Sequence, residues 1–480
     1  MTRSAFTPAD LAVLLAYLAG TTAVGLWLGR RQKDSRDYFV ANHAIPWWAV
    51  LISVVATETS AITFISIPSV AYLGDFSFLQ LAFGYVIGRT VVAYTLLPRY
   101  FQGELVTAYA LLERRFGLGA RRFASIVFMV TRGLADSVRV FATAIPISLI
   151  LATTLRPGLV MPIAILILGA LTVFYTYQGG MRAVIWTDVI QTTVYLIGGI
   201  AAVMLIGNWS TIFAHAAAAG KLRVINTSMD LAQPYTLWAG LFGGAFLTMA
   251  SHGADQLIVQ RLLAASSLRD ARRALIGSGF VVLVQFTLFL IIGTGLYAVY
   301  QGRVFHRPDD VFPTFILQHM PPGLVGLVVA AILAATMSTH SGAINSLAAS
   351  TTHDIYLPMT GRKPEDPHVL KMARLFTLAW GVVLTGGALL YRAQGTPVVA
   401  VALSIASFTY GALLGAFFLA LVWARAKQRD AIIGMAVGLV TMAVVVFYPP
   451  VARHIAWPWY VLIGTTITLA SGVISSWSHT

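Results

Sequence analysis

The hydrophobic pattern of this chain has the long period of a membrane protein. Uninterrupted apolar runs of about 20 residues, enough to cross a hydrocarbon core as a helix, recur thirteen times. Their predicted limits are 7–29, 45–74, 76–101, 121–155, 158–178, 182–207, 233–257, 271–301, 323–353, 368–391, 396–424, 429–448 and 457–476. Short polar turns separate them along the whole length, with no soluble domain between. The predicted fold class is therefore an all-α polytopic membrane protein.

Composition agrees with the pattern. Of 480 residues, 58% are hydrophobic and only 10% charged, more apolar surface than a soluble fold can hide. The first run lacks a basic n-region and a small-residue cleavage site. Its positive cluster (Arg30, Arg31, Lys33, Arg36) follows it, so it reads as a span and not as a cleaved signal. The positive-inside rule then places the N-terminus outside and, after thirteen spans, the C-terminus in the cytoplasm. Loops expected inside, counted with the span ends that flank them, carry 21 of the 32 Lys and Arg and those outside 8, leaving Arg89, Arg132 and Arg139 deep within spans.

The net charge of +14 is thus a topology signal. Spread over many short turns, it is no nucleic-acid footprint. The absence of cysteine excludes disulfides and thiol-ligated metals. The excess of Arg over Lys points to a GC-rich prokaryote, which makes the bacterial inner membrane the expected location. In a bacterium the sequons at Asn208 and Asn226, in the expected outer loop, carry no meaning.

The informative positions are those that break the apolar pattern. Asp188 stands in residues 183–207, which otherwise carry no charge, and an intramembrane acid usually persists because it binds or moves something. Two segments look like interrupted helices: 56–68, polar in its middle and ending in Pro68, and 246–256, with Gly243, Gly244 and Gly253 around it. They lie five spans apart and so run in opposite directions, as the first helices of an inverted repeat do. The ninth span is rich in hydroxyls, with Ser338, Ser341 and Asn345 on one face. Hydroxyls and carbonyls freed by a break suit a desolvated sodium ion, although such residues also line tight transmembrane contacts.

These residues resemble the sodium:solute symporter family (solute carrier 5-like). Four blocks carry the likeness: residues 53–64, Thr176 through Gln191, residues 336–346 ahead of 353–356, and residues 255–264. The resemblance covers essentially the whole chain, and the Gly-Gly-Met-Arg-Ala-Val-Ile-Trp-Thr-Asp run ending at Asp188 is its most specific part. It implies secondary active transport by a LeuT-like 5+5 inverted-repeat core. The repeats would span 45–207 and 233–424, around an extracytoplasmic loop at 208–232. Residues 1–44 would add an N-terminal helix and basic loop, and 425–480 two peripheral helices. The implied sodium ligands are Ala56, Thr59, Ala335, Ser338 and Thr339. Some members hold a further sodium, which here maps to Asp188 and Ser341. The chain departs from that pattern at Gly342, where a second hydroxyl would stand, so one or two sodium ions stay open.

Substrate is expected between the two breaks. Glu58, Ser60 and Thr63 match substrate-facing positions of the family, Asp255 falls at a usual polar contact, and Gln80 is a further candidate. On the fourth span Arg132, Asp136 and Arg139 share one helix face. They form either a self-neutralising ladder completed by Glu58 or Asp255, or a site in which one arginine holds a substrate carboxylate. His252 and His340 lie beside these elements as packing residues or proton carriers. The resulting expectation is a sodium-coupled symporter of a small polar solute, with sodium as coupling ion and no cofactor. Sugar, amino acid, carboxylate and other anions all stay open as the solute. Beyond solute, sodium and the lipid bilayer, no nucleic acid or obligate protein partner is indicated. Proton coupling is the alternative, and a polytopic membrane enzyme a distant one, because the loops are short and poor in catalytic groups.

Overall fold

The computed structural model describes residues 6–28, 34–59, 61–103, 105–151, 155–305, 308–392 and 398–478. Ser60, and Arg30, Arg31 and Lys33 of the basic cluster, lie outside the described residues. Among those described, helices are joined by short turns, and the only pairing of extended backbone is an isolated bridge between Ile45 and Ala265. A chain in hydrocarbon must satisfy its backbone groups internally, and helices do so residue by residue.

The principal helices are α1 (Pro8–Leu28), α2 (Trp47–Glu58), α3 (Ala61–Leu73), α4 (Leu79–Thr95), α5 (Leu118–Leu151), α6 (157–179), α7 (181–206), α8 (Ala245–Gly253), α9 (Gln256–Leu263), α10 (Leu268–Tyr300), α11 (Leu324–Ser350), α12 (Pro367–Leu390), α13 (Val398–Val422), α14 (Gln428–Phe447) and α15 (Trp459–Trp477). By length and apolarity nine helices among the described residues qualify as spans, ten if α2 and α3 form one bent crossing. By that measure nine or ten of the thirteen crossings expected from hydropathy are counted among the described residues. The apolar part of α6 is a shorter stretch, Gly158–Phe174, and the region from Ala239 to Leu263 is divided into a π-helical turn (Ala239–Gly244), α8 and α9.

Both expected interruptions are present. Between Trp47–Glu58 and Thr63–Leu73 the axis turns by 60°. Between α8 and α9 the chain leaves the helix at Ala254, and Asp255 restarts it by accepting the Leu257 N–H at 2.8 Å. A third discontinuity separates α6 from α7 at Gly180 (φ 56°, ψ −162°), a backbone conformation only glycine adopts without strain. This kink divides the two helices inside the Thr176–Gln191 block.

α11 is the axis of the bundle. From Val328 to Ser350 every residue is buried, and the helix packs against α1, α5, α7 and α12. A helix apolar or small on all sides must be surrounded on all sides. Elsewhere glycine sets the spacing. A Cβ on Gly84 of α4 would fall 2.1 Å from the Gly240 carbonyl oxygen, so the two backbones touch, as small-residue transmembrane contacts allow.

Candidate functional site

The end of α2 builds the first part of the site. Thr59 (φ −89°, ψ 80°) leaves the helix, and its hydroxyl donates to the Val55 carbonyl at 2.5 Å and to Gln285 Oε1 at 3.0 Å. A helix that stops inside the bundle frees its last carbonyls. Across from it, Ala335 and Ser338 on α11 complete a small cavity of about 10 Å³ together with Ala56, Thr59, Gln191, Thr192, Tyr195 and Gln285. That is room for about one water-sized or ion-sized occupant. Four of the five residues expected to hold sodium thus meet here. Thr339 lies a residue further on, its hydroxyl 3.1 Å from the Ala335 carbonyl and 3.5 Å from that of Thr57. Gln191, Thr192, Tyr195 and Gln285 escaped the sequence reading. Gln191 and Thr192 sit at the end of the Asp188 block, and Gln285 is a lone amide in an apolar helix.

Asp188 adjoins this cavity but is already occupied. Its carboxylate is fully buried and accepts from Ser338 Oγ at 2.6 Å and Ser53 Oγ at 2.5 Å. Arg261 Nη2 stands 3.3 Å from the same oxygen as Ser53. Arg261 also donates through Nε to Ser53 Oγ (2.9 Å) and through Nη1 to the Leu257 carbonyl (2.8 Å). The charge count had placed Arg261 in a cytoplasmic turn; α9 instead carries it into the interior, where it has no solvent exposure. Ser341, expected beside Asp188, turns its hydroxyl to the Ser338 carbonyl at 3.0 Å. A Cβ at Gly342 would lie 2.3 Å from Arg261 Nη2. The guanidinium therefore fills the space where a second hydroxyl was expected.

Between the two breaks lies a chamber of about 130 Å³. Thr57, Glu58 and Thr63 line it from the first break, Ser251, His252 and Leu257 from the second, and Arg132, Arg139 and Tyr410 from the opposite side. Phe78, Tyr85 and Phe286 supply apolar wall. Glu58 pairs with the buried Arg89, which also donates to Ser278 at 2.6 Å. His252 shares its Nδ1 with Ser251 (2.8 Å) and Thr248 (3.2 Å).

The charges of α5 form a chain. Asp255 accepts from Arg132 at 2.5 Å and from the Tyr410 hydroxyl at 2.5 Å. Arg132 reaches Asp136 at 3.5 Å, and Asp136 accepts from Arg139 at 3.1 Å. Arg132 is committed on both sides. Arg139 ends the chain: its Nε has no partner, and its side chain is 19% exposed. Of the expected substrate residues, Glu58, Thr63, Arg132 and Arg139 share the chamber, and Asp255 stands behind Arg132. Gln80 does not belong to it. Its amide is spent on the Ser77 and Tyr235 carbonyls and on the Asn226 N–H, all within 3.1 Å, so it pins the 208–238 connection.

A small cavity at a helix break beside a charge-balanced chamber is the arrangement of an ion-coupled carrier. The model of the sodium:solute symporter family matches residues 38–438, five-sixths of the chain. The protein belongs to the sodium:solute symporter family. It is a multi-pass membrane protein that couples solute movement to sodium. The sodium/sialic acid symporter SiaT of Proteus mirabilis is 29% identical over 97% of this chain and 94% of that protein. The human sodium-coupled monocarboxylate transporter 1 is 28% identical over 89% of this chain and 72% of its own length. A solved substrate-bound, outward-open sodium-coupled sialic acid symporter superposes with TM-score 0.88 at 28% identity, covering 98% of each chain. MHP1, a nucleobase-cation-symport-1 transporter, shares the fold at 14% identity and TM-score 0.58, covering 92% of this chain and 94% of its own. The architecture is LeuT-like.

Proposed function

We propose that this symporter takes up a small organic acid together with a single sodium ion. The observation that carries the reading is Arg139, an arginine at the chamber wall with one ion-pair partner and an unpartnered Nε. A guanidinium with donors to spare is the natural counterpart of a carboxylate. Relatives named for sialic acid and for monocarboxylates agree with that chemistry. The sodium site in this proposal is Ala56, Thr59, Ala335 and Ser338, supported by Thr339. Sodium there would join α2 to α11, and solute would then bridge the two breaks. The basic loops orient the N-terminus outside and the C-terminus in the cytoplasm.

One sodium follows from the Asp188 cluster, because its carboxylate already has a resident cation in Arg261. One sodium with one monoanion moves no net charge. The sodium gradient alone then drives accumulation, about tenfold for each tenfold of gradient, and membrane potential adds nothing. In proteoliposomes, uptake of a labelled acid should require an inward sodium gradient and remain unchanged when valinomycin sets −100 mV. A severalfold stimulation by potential would sink the one-sodium, one-anion account. Ser338→Ala and Thr339→Ala should each abolish the sodium-stimulated component. Unchanged sodium dependence in both would remove the site assignment.

A further inference from the structure

The start of α2, the end of α4 and the start of α10 lie together, at the cytoplasmic side in the orientation proposed above. α10 packs against both other helices, and a groove of about 590 Å³ runs beside it. Trp47 of α2 and Tyr94 of α4 line it, and both are exposed. Gly277 keeps its floor low: a Cβ there would meet Leu51 of α2 at 2.7 Å, so α2 and α10 sit close. The size is that of an organic-ligand site, about 300–1,000 Å³. The groove shares no lining residue with the chamber or the sodium cavity.

The first two turns of α10 charge this groove. Arg269, Arg272 and Arg273 all line it. Asp270, the one acid in that stretch, stands 3.8 Å from Arg273 and also accepts from Ser266 at 2.9 Å. No ion pair among the described residues includes Arg269 or Arg272. Arg272 is nevertheless held in place. Its Nε donates to the Ala93 carbonyl at 2.9 Å, and its guanidinium lies over the Tyr94 ring at 4.9 Å. Three guanidinium groups against one carboxylate leave two positive charges for a ligand to balance.

Beyond the arginines the same helix face turns apolar. Ile276, Phe280 and Val284 follow Arg273 at helical spacing, and Phe280 and Val284 are exposed. On α4, Ile87 and Tyr94 share a face and are exposed as well. The ligand that fits is negative at one end and apolar along its length. A soluble anion would leave the apolar track unused, and a zwitterionic headgroup would set its own cation among the arginines. An anionic phospholipid meets both demands. Guanidinium binds phosphate in bidentate fashion, and basic pockets between cytoplasmic helix ends suit such headgroups.

We propose that this groove binds an anionic phospholipid, with the phosphate on Arg269, Arg272 and Arg273 and an acyl chain along Phe280 and Val284. A lipid seated there touches α2 and α4 as well as α10. The site is independent of which solute is carried and of how many sodium ions accompany it.

The test uses the purified full-length protein, delipidated in detergent and titrated with phosphatidylglycerol or with phosphatidylcholine of the same chains. Bound lipid is counted by native mass spectrometry. Phosphatidylglycerol is expected to bind at least about tenfold tighter. Arg269→Gln with Arg273→Gln should bring that preference below about threefold, because each arginine beside an anionic headgroup contributes about fivefold. Phosphatidylcholine binding should not change, and both side chains are exposed, so the fold should survive. Arg425→Gln with Arg429→Gln removes the same charge from another exposed turn and should keep the full preference. Equal binding of the two lipids by the wild type overturns the site. An equal loss in both double variants also overturns it, because the attraction then belongs to the surface as a whole. Glycerophosphoglycerol, the headgroup without its chains, should not displace the lipid at millimolar concentration. Displacement would make this a soluble-anion site and overturn the lipid assignment.

Discussion

Two ion-paired clusters lie inside this bundle, and they differ in how completely they are closed. Around Asp188, the carboxylate, Ser53, Ser338 and Arg261 satisfy one another across four helices, and the guanidinium presses against Gly342. Around Asp136, the ladder from Asp255 to Arg139 balances its charges yet leaves an oxygen of Asp136, Arg139 Nε and both nitrogens of His340 unpaired. A buried polar cluster without loose ends holds helices in place. One with loose ends beside a cavity is made to be completed by something that comes and goes.

The comparison can be broken most forcefully at Arg261. Arg261→Ala leaves the Asp188 charge buried without its cation, a loss of about 3–5 kcal/mol for a buried pair cut on one side. Expression and melting temperature in detergent should both collapse. Asp188→Asn combined with Arg261→Met should recover most of the stability, because it removes both buried charges together and leaves neither uncompensated. If the double variant is as unstable as the single, the cluster is not an isolated pair and the two clusters do not differ in this way.

Arg139→Lys should act in the opposite manner. It keeps the charge facing Asp136 but loses the planar fork, so the half-saturating concentration for an organic acid should rise about tenfold or more while the melting temperature stays near wild type. A stability loss like that of Arg261→Ala would place Arg139 in the structural class. The smallest expected effect is at Gly342. Gly342→Ala must displace the Arg261 guanidinium, at about 1–3 kcal/mol for overpacking. In an Arg261→Ala background the same change should cost much less, and strict additivity of the two would contradict their contact.

The fold was largely legible in the sequence because a membrane imposes a simple rule, long apolar helices with charges at their ends. Asp188 stood out for breaking that rule, and the two interruptions for breaking the apolar pattern with Gly, Pro and hydroxyls. Arg261 was hidden by the same rule. It lies past the apolar run, close to Arg269, Arg272 and Arg273, and hydropathy assigns it with them to a turn and its flanking span end. Its immediate surroundings, Leu257, Ile258, Val259, Leu262 and Leu263, were the available signal, and all are buried. The ladder could be read within α5, since i, i+4 and i+7 share a face, but the choice of Asp255 over Glu58 is a tertiary fact. Gln80 was misjudged for a related reason. A polar residue in an apolar helix can serve a neighbouring loop as well as a ligand, and spacing along the chain does not distinguish the two.

The 208–238 connection is also tied to the end of α3. Lys221 donates to the Tyr72 carbonyl at 2.7 Å and to that of Gly74 at 3.0 Å, and Arg223 pairs with Asp75 at 2.7 Å. The Tyr72 hydroxyl donates to the Arg303 carbonyl at 2.6 Å, and Ser69 to that of Pro308 at 2.7 Å. The far half of the first broken helix is thus moored by its end to two surface connections. Any tilt of α3 about that break would have to carry those connections with it, like the handle of a hinged door. A fluorophore placed on the exposed Met229 would then register, from the water side, a motion that begins at a helix break deep in the bundle.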